Sequence, residues 1–229
     1  MTNKRPGKSK ILIGTSNAGK FAEIMEVLGD LPHDFCLPRD LGITENAEEE
    51  GDTYEKNACA KAKFYHGRSG LLTIAEDTGI VVDALAGELG VKTRRWGAGE
   101  KANDEEWITY FLDVMKSVPP DRRTARFICV AAVFGRGGEV SFFHGEAEGV
   151  ITRDLEAPIH AGLPLSSCFR PDGFDKVYAA LTKAEKNSIS HRGKAMRGVR
   201  SFLEGNKALN QATNKGDVPA EKAKKGFKG

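Results

Sequence analysis

The chain has 229 residues, 40% of them hydrophobic and 29% charged, which suits a globular fold with one sizeable core or two small lobes around a cleft. Its net charge of +2 divides into +4 over residues 1–10, +4 over residues 205–229 and therefore −6 between them, so basic ends flank a mildly acidic body that holds no recognised nucleic-acid module. No apolar run approaches a membrane span, no signal-peptide segment opens the chain, and four scattered cysteines without a Cys-x-x-Cys argue against zinc or disulfides and for a reducing, cytoplasmic setting.

In chain order, residues 1–9 read as a basic extension and 10–204 as one folded unit. A strand is predicted over 10–15, where Ile11-Leu12-Ile13 empties into Gly14-Thr15-Ser16-Asn17-Ala18-Gly19-Lys20. A helix over 18–29 follows, with Phe21, Ile24, Met25 and Leu28 on one face. Strand 33–37, helix 52–67, strand 71–76, a short strand at 80–84 and helix 103–117 come next. Residues 126–134 and 140–151 form two β-rich runs joined by Gly135-Arg136-Gly137-Gly138, a hairpin signal that predicts a long antiparallel arm. After a loop with Pro158, Pro164 and Pro171, the last helix runs from about Ser190, its N-cap, to Leu203. Residues 205–229 lose apolar content and read as a disordered basic tail. The pattern is α/β, with a mixed central sheet flanked by helices and two lobes around a cleft.

Four segments carry chemistry. Strand, polar loop, Lys20 and helix N-terminus make an anion-binding device, because loop amides and the helix dipole attract an oxyanion and the lysine adds a full charge. Gly14 to Lys20 fits part of a P-loop, but Phe21 stands where that motif needs a metal-binding hydroxyl, and Thr15-x-Asn17-x-x-Lys20 is the alternative pattern. An ordinary strand-to-helix turn is the third reading of the segment. Glu45, Glu48, Glu49, Glu50 and Asp52 crowd a loop ahead of a helix, where they stabilise its dipole or supply oxygen ligands to a hard cation. Glu76-Asp77-Thr78-Gly79 follows a strand, and a tight turn at Thr78-Gly79 is expected to expose Asp77 to a cleft. Lys183, Lys186, His191, Arg192 and Lys194 gather before and at a helix N-terminus, which reads either as a site for a compensating anion or as a solvated basic face.

Taken together, these segments are a kit for a magnesium-nucleotide, and here the chain resembles the inosine triphosphate pyrophosphatases, which hydrolyse non-standard purine nucleoside triphosphates to monophosphate and pyrophosphate. The resemblance spans about residues 10–204. It rests on Thr15-Ser16-Asn17-Ala18-Gly19-Lys20, on Glu76-Asp77-Thr78-Gly79 with Val82-Asp83-Ala84-Leu85, and on Glu185-Lys186-Asn187-Ser188-Ile189-Ser190-His191-Arg192-Gly193-Lys194-Ala195. It implies a nucleoside triphosphate substrate, Mg2+ as cofactor, and a homodimer, for which the apolar hairpin around Phe127–Phe134 and Phe142-Phe143 offers an interface. By the same resemblance Thr15, Ser16, Asn17 and Lys20 hold phosphates, with Thr78 beside them. Asp77 activates water and binds metal, Glu49 (or Glu48 or Glu50) is the second metal ligand, Lys186 contacts substrate, and His191 and Arg192 face the base. Lys56 stands where some members have a lysine that reaches the nucleotide, and Arg95 matches an arginine of the family pattern. One departure concerns the base. The family carries Phe-Gly-Tyr/Trp-Asp-Pro after a glycine, with the aromatic stacking on the purine and the acid reading it, whereas Gly162 here is followed by Leu163-Pro164-Leu165-Ser166-Ser167. Phe169 and Phe174 are the nearest aromatics to take over the stack, and a broader base profile is expected. A nucleotide-binding protein without turnover and a P-loop ATPase are the alternatives.

Overall fold

The computed structural model describes residues 8–99, 101–135 and 137–205; most of the basic N-terminal extension and nearly all of the predicted tail lie outside them. Three buried isoleucine and leucine side chains in a row (Ile11, Leu12, Ile13) fit an inner strand covered on both faces. Accordingly β1 (Ser9–Ile13) runs parallel to β2 (His33–Cys36) on one side and to β3 (Leu72–Val82) on the other. From β3 the sheet continues antiparallel through β4 (Thr124–Phe134), β5 (Val140–Ile151) and β6 (Phe169–Pro171), in the order β2-β1-β3-β4-β5-β6. The long arm predicted from the hairpin signal is present, in continuous register from Thr124↔Val150 to Phe134↔Val140.

Helices close both faces. On one face α1 (Ala18–Leu28) and α5 (His191–Gly205) bury Ile24, Leu28, Met196 and Val199 against Ile11, Ile13, Ile74 and Cys129. On the other, α2 (Tyr54–Ser69) sets Ala58 and Ala62 against Ala75, Val130 and Ala132. A separate cluster joins α3 (Asp104–Met115) to the Ile80–Val82 end of β3, through Trp107, Phe111, Phe127 and Leu165. Side-chain caps start three of these helices: Asn17 accepts from Lys20 N–H, Thr53 from Lys56 N–H and Asn103 from Glu106 N–H.

Two expectations change. The separate strands at 71–76 and 80–84 are one strand, and Thr78-Gly79 is not a turn. β4 pairs with β3 without a break from Thr73↔Phe134 to Val82↔Ala125. Gly79 belongs there because the backbone of Gly90 passes so close that a Cβ would lie 2.0 Å from its carbonyl oxygen. The last helix is also preceded by a second one, α4 (Lys183–Ile189). Ser190 separates the two and still caps α5, its Oγ accepting from Gly193 N–H at 3.0 Å.

Arg123 ties the α3 end of the molecule to β5. Only 3% exposed, it donates to the carbonyls of Met115, Val118, Ile151 and Thr152. Replacing it by Met leaves those carbonyls without their donor, so Arg123→Met is expected to lower stability by about 2–4 kcal/mol. Urea unfolding measures this, and a loss below about 1 kcal/mol would contradict the assignment.

Candidate active site

Between the two packed halves lies a cavity of about 340 Å3. It opens where β1 ends and β3 runs on, the side of such a sheet where ligands bind. Thr15, Ser16, Asn17, Lys20, Glu49, Asp77, Thr78, Lys186, His191 and Arg192, drawn from five separate stretches of chain, all line it. Lys56 and Arg95 do not. Lys56 is an exposed side chain on α2, paired with Asp52 at 2.7 Å, and Arg95 donates to the Glu49 carbonyl at 2.6 Å, holding the acidic loop from behind. Its neighbour Arg94 takes the place on the cavity wall.

The β1–α1 loop is shaped by its own side chains. Thr15 Oγ1 accepts from Asn17 N–H at 3.1 Å, Asn17 Oδ1 accepts from Lys20 N–H at 2.9 Å, and Asn17 Nδ2 donates to the Gly162 carbonyl at 3.0 Å. Gly162 has φ +76°, and a Cβ there would strike Asn17, so this contact demands glycine. Phe21, where a P-loop has its hydroxyl, packs against the α1–α5 core.

Adjacent residues of a strand face opposite sides of a sheet, and β3 uses this to separate its two acids. Asp77 faces α2. Its Oδ2 accepts from Asn57 Nδ2 at 3.0 Å, its Oδ1 lies 4.0 Å from Lys61 Nζ, and Lys61 also meets Glu49 at 2.6 Å and the Glu76 carbonyl at 3.0 Å. Of the three candidate glutamates, Glu49 therefore lies beside Asp77, while Glu48 and Glu50 are exposed. Burial raises the Asp77 carboxyl above its usual range, against the opposing pull of Lys61 and Asn57. Burial acts on Glu49 in the same sense, but Lys61 outweighs it and holds that carboxyl low.

Glu76 faces α1 and α5, only 2% exposed, beside Lys20 at 2.9 Å and Arg192 at 3.5 Å, and Thr78 donates its hydroxyl to it. Arg192 in turn pairs with Glu23, which also meets Lys186 at 2.5 Å. Lys20, Glu76, Arg192, Glu23 and Lys186 thus form one alternating chain of charges along the cavity. Burial opposes ionisation of both glutamates, yet the cations overcome it and hold Glu23 low and Glu76 lower still. His191, stacked on Phe127 at 4.6 Å, is kept neutral by burial and then by Arg192. Lys186 also donates to Ser166 Oγ at 3.2 Å.

Glu23, Asn57 and Lys61 were not singled out from the sequence. A signal existed: Glu23 follows Lys20 by three residues on α1, and Asn57 and Lys61, four apart, interrupt the small apolar face of α2 that carries Ala58 and Ala62. Neither aromatic nearest to the missing stacking ring reaches the cavity wall. Phe169 is fully buried, edge-on to Phe127 at 4.8 Å, and neither it nor Phe174 lines the cavity.

Among the described residues no cluster of three or more His, Cys, Asp or Glu side chains makes a metal cage. Two carboxylates facing one cavity do fit a magnesium ion that arrives with phosphate oxygens and keeps its waters. No helix of the described residues is long and apolar enough to cross a membrane.

The sequence model of the Ham1 family matches residues 11–202. The dITP/XTP pyrophosphatase of Shigella flexneri is 37% identical over 190 residues, covering 82% of this chain and 94% of that protein. The dITP/XTP pyrophosphatase of Desulforamulus reducens is 36% identical over 195 residues, 85% of this chain and 95% of the relative. Among solved structures, the Staphylococcus aureus Ham1 protein superposes with a TM-score of 0.72 at 31% identity, covering 86% of this chain and all of that one. A HAM1 protein from Coxiella burnetii gives 0.73 at 31% identity, over 86% and 99% of the two chains.

Proposed function

The chain belongs to the Ham1 family, and on that premise we propose that it hydrolyses non-canonical purine nucleoside triphosphates, those of inosine, deoxyinosine and xanthosine, to the monophosphate and pyrophosphate. The observation that carries the reading is the pairing, on one cavity, of a fixed carboxylate of raised pKa with a cation-lined cleft. The unit that performs the reaction is residues 10–204, in the cytoplasm, with magnesium as cofactor and the chain as a homodimer.

In this reading Lys20 and the Thr15-Ser16-Asn17 loop hold the phosphate chain at the N-terminus of α1, with Thr78 and Arg94 beside it. Lys186, His191 and Arg192 receive the base. Glu49 and Asp77 would hold the magnesium, which neutralises triphosphate charge and makes a bound water more acidic. Asp77 has Oδ2 fixed by Asn57, so Oδ1 is the atom that takes the proton as water oxygen bonds to the α-phosphorus. The α–β bridging bond breaks and pyrophosphate leaves with the electron pair. Lys61 steadies both carboxylates from below, and Arg95 fixes the loop that presents Glu49.

A turnover panel tests the substrate: inosine, xanthosine and their deoxy triphosphates are expected to outrun the four standard triphosphates and modified pyrimidine triphosphates. Strong preference for ATP or for a pyrimidine would contradict it. The dimer is tested by light scattering, a monomer at micromolar concentration being the contrary result. Of the hairpin aromatics, Phe127, Phe134 and Phe143 pack inside the subunit, leaving Phe142, 37% exposed, to contribute to an interface.

A further inference from the structure

In the family pattern the fourth residue after the glycine is the acid that reads the base, and in this chain that place is Ser166. Its side chain is fixed on the cavity wall. Pro164–Ser167 is a single tight helical turn, in which Ser166 N–H donates to the Leu163 carbonyl at 3.0 Å and Ser167 Oγ anchors the turn to the Pro158 carbonyl at 2.8 Å. Ser166 Oγ lies 3.2 Å from Lys186 Nζ, which meets Glu23 at 2.5 Å. All three residues line the cavity, and the side chains of Lys186 and Glu23 keep 11% and 14% of their surface accessible.

This arrangement decides which way the hydroxyl works. An ammonium only donates, so Ser166 Oγ is its acceptor and the hydroxyl proton points elsewhere. No acceptor among the described residues takes that proton. A serine here therefore offers the cavity a donor, where a carboxylate would offer only acceptors. Charge changes in the same direction. Lys20, Glu76, Arg192, Glu23 and Lys186 carry three positive charges against two negative, and Ser166, unlike an aspartate, leaves that surplus uncancelled.

Oxopurines differ along the edge formed by C2 and N3. Xanthine has a second carbonyl at C2, which makes the neighbouring N3–H acidic, so its nucleotides are ionised at neutral pH and present two adjacent acceptors. Hypoxanthine presents N3 beside a C–H, and guanine presents N3 beside an amino donor. We infer that Ser166, with Lys186, reads this edge and makes xanthosine triphosphate the preferred oxopurine substrate of this chain, ahead of inosine triphosphate and against guanosine triphosphate. The inference rests on the function proposed above and narrows its substrate. With guanine the Ser166 proton meets an amino group, so a site without the acid still excludes the standard oxopurine.

Wild type is expected to use xanthosine triphosphate with a kcat/KM about tenfold above that for inosine triphosphate, the scale of one additional hydrogen bond to a charged acceptor. Ser166→Ala removes the donor and is expected to bring that ratio to within about twofold of unity. Ser166→Asp exchanges donor for acceptor and cancels the surplus charge. It is expected to lower xanthosine triphosphate below inosine triphosphate and to raise guanosine triphosphate relative to both, a gain that lost packing cannot produce. Equal efficiencies in wild type, or a fall common to all triphosphates in both variants, overturns the proposal. A second measurement needs no turnover. By calorimetry without metal, xanthosine monophosphate is expected to bind wild type about tenfold more tightly than inosine monophosphate, with the difference lost in Ser166→Ala. Binding of neither, equal binding of both, or a preference that Ser166→Ala keeps, overturns it. Absence of pyrophosphate release by wild type from every triphosphate would instead refute the proposed function, leaving the monophosphate comparison to stand on its own.

Discussion

Asp77→Asn is expected to keep the fold and to lower turnover by at least about a hundredfold, the scale of losing a positioned proton acceptor. The backbone of residue 77 lies mid-strand, paired with Val130 on β4, and the amide is nearly isosteric with the carboxylate. To keep the bond from Asn57 Nδ2, the new side chain must turn its oxygen toward Asn57, which points its NH2 at Lys61. The atom that received the proton then becomes a donor facing an ammonium. One of the two carboxylates offered to magnesium is lost as well. In the absence of metal, burial raises the Asp77 carboxyl above its ordinary 3.8, so in the metal-free protein this carboxyl is expected to titrate above that value. In the variant that titration disappears. Steady-state kinetics with magnesium, beside a circular dichroism melt, measure turnover and fold, and near wild-type turnover would contradict the role given to Asp77.

The second large effect falls on stability. Glu76→Gln removes the charge that Lys20 and Arg192 share, at a residue 2% exposed. Breaking a buried pair by deleting one partner leaves uncompensated charge and costs about 3–5 kcal/mol. Glu23 remains for Arg192 and Lys186, but Lys20 loses its carboxylate, so Km for the triphosphate is expected to change along with stability. The pH dependence has a definite sign. Glu23 and Glu76 are held below their usual 4.5 in the fold, so their contribution is complete above that value and disappears as pH falls through the lowered pKa values. Wild type is therefore expected to weaken steeply below pH 4.5, and Glu76→Gln to start lower at neutral pH and fall less. Urea unfolding at neutral and acidic pH tests this. A neutral-pH loss below about 1 kcal/mol would show that the two cations do not need Glu76.

Much of the site was legible because its chemistry sits in short runs. A strand ending in a polar loop and a lysine at a helix start is a local pattern, and the fold places Thr15, Ser16, Asn17 and Lys20 together on the cavity. Lys186, His191 and Arg192 were legible through their motif. What escaped depended on the third dimension. Thr78-Gly79 looks like a turn to local propensity, but an unbroken partner strand and the backbone at Gly90 make it strand. The same strand pleat sends Glu76 and Asp77 to opposite faces, so two neighbouring acids serve different networks. Trp107 reads from sequence as one more apolar residue on a helix face, and only the meeting of α3 with the 162–166 loop brings it to the cavity. The absence of a ring at Leu165 was visible in the sequence, whereas the aromatic wall formed by α3 and β4 was not.

In the proposed reaction water attacks the α-phosphorus of an oxopurine triphosphate in a single step. Phosphorus NMR of the reaction with inosine triphosphate and magnesium tests it directly. Inosine monophosphate and pyrophosphate are expected to appear together in equal amounts from the first time point, without diphosphate. Orthophosphate with inosine diphosphate as the initial products would contradict attack at the α-phosphorus.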